Sequence, residues 1–185
     1  EENAWLDDYA MFSVLKQLHG TPWYKWPDEF RKRDLKALEN FLKLNKEAVE
    51  KVKWLQFNFT RQWERLRLYC NQLNVSLFGD LPFYVSYDSG DVWSNQEIFA
   101  QDKNLAMTGI AGVPPDYFNE NGQLWGMPVF RWDVLKSQNY RWWIQRLRKN
   151  IELFDVVRLD HFRAFADYWE VPANEKTAKN GKRKP

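Results

Sequence analysis

Between Phe154 and Arg163 the apolar residues Phe154, Val156, Val157 and Leu159 run into the polar residues Arg158, Asp160, His161 and Arg163 with neither Gly nor Pro between them. A short run of this kind reads as a strand buried on both faces, and in parallel barrels the chemistry sits where such strands end. Side chains two apart on a strand share a face, so Arg158 and Asp160 are expected to point the same way. An arginine beside a carboxylate favours its ionised form, which suits a nucleophile better than a proton donor. A buried structural ion pair has the same signature, and these ten residues leave both readings open.

The sequence before this strand is mostly helical in period. Trp5, Leu6, Tyr9, Phe12, Leu15 and Leu18 recur at steps of three and four up to Gly20, with Asp7 and Asp8 placed in the first turn, where acids suit the helix dipole. Polar helical sequence follows from Asp34 to about Leu44. Val52, Leu55, Phe59, Trp63, Leu66, Cys70 and Leu73 then mark one apolar face of a long helix, whose aromatic members are expected in the core. Residues 34–73 therefore form a helical segment. The last helix carries Trp143, Leu147, Ile151 and Phe154 on one face and feeds directly into the strand that bears Asp160. Strand, insertion, helix, strand is the order of a parallel βαβ unit.

Composition narrows the function classes. The formal charge of +2 arises from 27 basic and 25 acidic residues, which provides no field for nucleic acid or an anionic membrane. Apolar runs of membrane-spanning length are missing from the sequence. Cys70 is the single cysteine, which points to a reducing, cytoplasmic setting. With His19 and His161 the only histidines, the spacing of a metal site is not present, and no cofactor is expected. Eleven Trp, thirteen Phe and eight Tyr are the unusual feature, since aromatic faces both fill cores and serve as platforms for sugars.

Two further stretches are site-like. Val75 to Leu81 is a short strand-like run that ends at Gly79-Asp80-Leu81-Pro82, where Asp80 reads either as a turn former or as a group delivered to a site. Residues 82–137 read as a loop-rich insertion, turn-rich from Asn104 onward. Loops of such length in a compact domain are functional or disordered, and Tyr117, Phe118, Trp125 and Trp132 argue against disorder. Residues 174–185 read as a loop cut by the chain end, with Lys176, Lys179, Lys182, Arg183 and Lys184 solvated.

The string DVVRLDHFRAF resembles the fourth-strand motif of the amylomaltases or disproportionating enzymes, the 4-α-glucanotransferases of glycoside hydrolase family 77 in the α-amylase clan. GDLPFYVSYDSGDVW and GVPPDYFNENGQLWGMP resemble two further motifs of that family, and the likeness runs from about Trp5 to Lys182. It implies an α/β fold, part of a (β/α)8 TIM-type barrel with helical and loop insertions. It also implies Asp160 as nucleophile with Arg158 beside it, and Asp80, Tyr117, Phe118, Trp125 and His161 as substrate-binding residues. The implied substrates are α-1,4-glucans and maltooligosaccharides. The implied chemistry is retaining transfer, which needs a second carboxyl about 5 to 5.5 Å from the nucleophile. In the family that acid/base is a glutamate on the next barrel strand and the third carboxylate comes later still. Glu170, in YWEVP, precedes that strand and is not the acid. The chain is therefore expected to be incomplete, with a glucan-binding remnant or a related hydrolase as alternative readings. Met127 and Ala164 stand where the family commonly has Asn or Ser and Gly, and both bear on subsite shape.

Overall fold

The computed structural model describes residues 3–185, with side chains from Trp5 onward, and divides this mixed α/β chain into two compact units. The first unit takes residues up to Leu77 together with Asp88–Ser94, and the second takes Phe78–Tyr87 with Asn95–Pro185.

The first unit is helical: α1 (Asn3–His19), α2 (Asp28–Arg31), α3 (Leu35–Leu44), α4 (Lys46–Gln72) and α5 (Gly90–Ser94). Asp34 caps α3, its Oδ1 accepting from the Ala37 amide at 2.9 Å, as expected for a side chain that satisfies a free first-turn donor. Phe12, Trp26 and Trp93 form the unit's aromatic centre, with ring centroids 5.5 to 5.9 Å apart. The Trp93 indole donates to the Phe30 carbonyl at 2.9 Å, and the Arg33 guanidinium lies 4.2 Å over the Trp93 ring.

Two expectations change in this unit. Asp7 and Asp8 lie in the second turn of α1 and are ion-pair partners rather than caps: Asp7 meets Lys53 of α4 at 2.7 Å and Asp8 meets Arg33 at 2.6 Å. Asp88 pairs with Lys16 and accepts from the Trp23 amide, leaving Ser89 to accept from Val92 at the start of α5. The expected core face of α4 is largely exposed, Leu55, Phe59 and Leu66 included. A 3.6-residue period reports that a face is apolar and leaves open what covers it.

The second unit holds two sheets. In the smaller, β1 (Phe78–Leu81) and β4 (Val156–Leu159) pair in parallel, with Asp80 opposite Arg158 and Leu81 opposite Leu159. The other sheet is antiparallel, in the order β3 (Gln123–Pro128), β2 (Gly109–Val113), β5 (Tyr168–Pro172), β6 (Lys182–Lys184). Helices α6 (Trp132–Ser137) and α7 (Arg141–Leu153) lie in the crossover from β1 to β4, as a parallel pair requires. Phe83, just past β1, is the aromatic hub, meeting Phe165 at 4.8 Å, Trp143 at 4.9 Å and Phe130 at 5.8 Å. Arg146 of α7 donates to the Pro82 and Phe83 carbonyls at 2.7 and 3.0 Å, which fixes the chain where β1 ends.

Strands replace loop at several expected positions. The 82–137 insertion contains β2 and β3, whose glycine-rich and irregular sequences lack an alternating pattern. YWEVP is itself the strand β5, and Lys182–Lys184 pair with it although all three side chains are exposed, through backbone hydrogen bonds and an ion pair from Arg183 to Asp167 at 2.9 Å. The expected doubly buried strand is half open: β4 leaves Val156 and Arg158 exposed, since β1 is its one partner among the described residues.

Candidate active site

Adjacent parallel strands end together, and this places Asp80 and Asp160 side by side. The Asp160 amide donates to the Leu81 carbonyl at 3.0 Å, extending the ladder one residue beyond β4. Arg158 stands between the two carboxylates. Its Nη2 donates to Asp160 Oδ1 at 2.5 Å and its Nε lies 3.5 Å from Asp80 Oδ1. Arg158 and Asp160 thus share a face of the strand, as their spacing predicts. Their side chains are 57% and 52% exposed, so the pair lies on an open surface and not in a buried ion pair. The Arg158 hydrogen bond holds the Asp160 carboxyl below the usual carboxylate range, with a smaller contribution from the His161 amide. An ionised, hydrogen-bonded, solvent-reachable carboxylate is fit for nucleophilic attack.

His161 follows at φ 52°, in the left-handed region, and opens the 3₁₀ turn Phe162–Phe165. This reversal folds the imidazole back over β1's extension. It meets Trp125 edge-on at 5.0 Å, Tyr84 at 6.2 Å and Phe83 at 6.3 Å. Burial among these rings pushes the imidazole's pKa down, against the opposing pull of Asp160's charge. Trp125 comes from β3 and its indole donates to Gln123 at 3.0 Å.

Four of the site residues read from the sequence therefore converge, Asp80, Arg158, Asp160 and His161, and Trp125 joins them through His161. Tyr117 and Phe118 stand apart on the β2–β3 connection, 94% and 92% exposed and edge-to-face at 5.4 Å. Their turn is ordered by Asp116, whose Oδ1 accepts from the Phe118 and Asn119 amides at 2.9 and 2.8 Å. Among the described residues no group of three His, Cys, Asp or Glu side chains is arranged to hold a metal ion.

Tyr84 is the residue that the sequence reading passed over. It is buried, stacks on Phe130 at 5.9 Å and 14°, and touches both Trp125 and His161. Its position four residues after Asp80 was the available signal. Behind it the Tyr168 hydroxyl is 3.5 Å from Glu170, and burial with that carboxylate nearby pushes the Tyr168 phenol up to about 12.

Comparison with known proteins places this arrangement among relatives. Residues 1–184 match the family described as 4-alpha-glucanotransferase, glycoside hydrolase family 77. The chain is 46% identical over 182 residues to the 4-alpha-glucanotransferase of Aquifex aeolicus, covering 98% of this chain and 38% of that one. It is likewise 46% identical over 182 residues to that of Thermus thermophilus, covering 98% and 36%. The solved structure of amylomaltase from Streptococcus agalactiae in complex with acarbose superposes with a TM-score of 0.94 at 35% identity, over 100% of this chain and 38% of that chain. The chain thus spans somewhat over a third of the length of the relatives it matches.

Proposed function

Because this chain belongs to the 4-alpha-glucanotransferase family, glycoside hydrolase family 77, we propose that it is the nucleophile-bearing part of a longer enzyme that moves α-1,4-glucan segments between maltooligosaccharides. The observation that carries this reading is the cluster at the ends of β1 and β4, where Arg158 joins Asp160 at 2.5 Å and Asp80 at 3.5 Å. In the proposed enzyme the two strands belong to a (β/α)8 barrel, and the ends that carry Asp80 and Asp160 lie on its catalytic face.

Asp160 attacks the anomeric carbon of the donor glucan, and the bond from that carbon to the glycosidic oxygen breaks. The departing oxygen takes a proton from a glutamate supplied by the remainder of the polypeptide, about 5 to 5.5 Å from Asp160. A hydroxyl of an acceptor sugar then attacks the glycosyl-Asp160 ester, returns its proton to that glutamate and frees the carboxylate. Arg158 keeps Asp160 ionised and turned toward the donor. Asp80 accepts from donor hydroxyls. The Trp125–His161 wall supplies an apolar face for the sugar ring, and Tyr117 and Phe118 reach further along the glucan. The S. agalactiae relative bears acarbose, which supports an oligosaccharide as ligand for this site. No metal or cofactor enters the scheme. A cytoplasmic setting is part of the proposal, supported by the free thiol of Cys70.

The test is a maltotriose disproportionation assay on the polypeptide extended to the length of its relatives. Glucose together with longer glucans is expected, and Asp160→Asn should abolish both. Release of reducing sugar to water without longer products points to a hydrolase, and binding of maltooligosaccharide without any turnover points to a glucan-binding protein; either result overturns the reading.

A further inference from the structure

The turn that follows Asp160 opens on a strained residue. His161 stands at φ 52°, a backbone conformation that residues other than Gly adopt rarely and keep only where their surroundings enforce it. The turn itself is short, Phe162–Phe165, with the Ala164 amide donating to the His161 carbonyl at 3.0 Å. Side chains three apart on a 3₁₀ turn eclipse one another, so Phe162 and Phe165 share a face, where Phe165 packs on Phe83 at 4.8 Å and on Trp143 at 4.9 Å. Arg163 lies on another face and is held by charge instead.

Asp167, just before β5, supplies that charge. The Arg163 Nε donates to Asp167 Oδ1 at 2.8 Å and Nη2 to Oδ2 at 3.0 Å, a two-pronged pair, and Nη1 of Arg183 donates to Oδ1 at 2.9 Å. Isolated exposed ion pairs contribute little, whereas a bidentate arginine within a network is ordered by its geometry. Arg183 sits on β6 opposite Trp169, so one of the basic residues read as solvated near the chain end reaches back to this turn. After burial and the charge of Asp160, the charges that act on the His161 imidazole are those of Arg163 and Asp167, in opposite senses, which puts both within electrostatic reach of the ring. We propose that Asp167 is a positioning residue of the site: together with Arg183 it fixes Arg163, and through Arg163 the turn that keeps the His161 imidazole against Trp125.

The kinetic part of this inference rests on the proposed sugar-binding role of His161, while the ring contact is read without activity. Both are measured on the extended polypeptide carrying Asp167→Ala, Arg183→Met or Arg183→Lys. The NMR cross-peak between the His161 imidazole and the Trp125 indole, identified by its loss in His161→Gln, should weaken several-fold in Asp167→Ala and less in Arg183→Met. KM for maltotriose should rise on the order of 10-fold in Asp167→Ala with a smaller change in kcat. Arg183→Lys should restore both readouts, because Arg183 uses a single nitrogen. An unchanged cross-peak and KM in Asp167→Ala and Arg183→Met overturn the proposal, and a loss of thermal stability with both readouts unchanged overturns it as well, leaving Asp167 a structural role only. Should Asp167→Ala not fold, the Arg183 pair of variants decides. A weakened cross-peak in a polypeptide that lacks transferase activity upholds the positioning and overturns the glucan reading instead.

Discussion

Asp80 and Arg158 are opposite one another in the parallel register of β1 and β4, and the Arg158 Nε comes within 3.5 Å of the Asp80 carboxylate while Nη2 of the same guanidinium holds Asp160. One cation thus answers two carboxylates delivered by two strands.

This bridge should set the acid side of the pH profile of the proposed enzyme. A carboxyl whose pKa is lowered by a hydrogen bond keeps its charge through the neutral range and loses it only as pH falls through that lowered value. Replacing Arg158 by Met should move the acid limb of kcat/KM in the extended enzyme upward and reduce its plateau by about 10²-fold. Arg158→Lys should recover only part of this, because an ammonium cannot span both carboxylates. An acid limb that stays in place in the Met variant refutes the role given to Arg158.

His161 should remain neutral at pH 7. Burial lowers its pKa from the ordinary value of 6.5, and the charge of Asp160 works in the opposite sense. Titration by NMR should give a midpoint below 6.5, and Asp160→Asn should lower it further because the favourable neighbour is gone. A midpoint raised in that variant contradicts the role given to the charge of Asp160, and one above 6.5 in the unsubstituted protein contradicts the effect of burial.

Tyr84 should act through its ring. It contacts both Trp125 and His161, at 6.0 and 6.2 Å. Tyr84→Leu is expected to raise KM for maltotriose with a smaller change in kcat, and Tyr84→Phe to restore KM. Equal kinetics for all three proteins removes Tyr84 from the site's support.

Gly79 of β1 tests packing under the site. A Cβ added there lies 2.3 Å from the Phe154 ring, so Gly79→Ala forces the ring or the strand to move. The cost is expected to be about 1 to 3 kcal/mol, measured by urea unfolding of the 185-residue chain. A neutral result means that Phe154 turns aside freely.

The cap of α3 is a simpler case. Asp34→Ala removes the acceptor for the Ala37 amide and should cost about 1 kcal/mol, with Asp34→Asn nearly neutral. Equal losses in both variants assign the effect to charge instead of capping.

Much of this was legible from local pattern. The period of α3 and α4, the strand run that ends at Asp80 and the shared face of Arg158 and Asp160 each follow from side-chain spacing along one element. Strands β2 and β3 were hidden in a glycine-rich stretch with no alternation, and β6 in a row of lysine and arginine, since edge pairing there rests on backbone groups common to every sequence. The exposed side of α4 was legible as apolar but not as uncovered.

The sequence by itself determined which side chains share a face and, through its motif strings, the family to which the chain belongs. Tertiary structure alone decided that Arg158 reaches Asp80, 78 positions earlier in the chain, and that Tyr84, Trp125 and His161 meet in one wall. Spacing along an element sets direction, while a meeting between distant residues depends on strand register and on the positive φ of His161, which turns its ring back toward the strand ends.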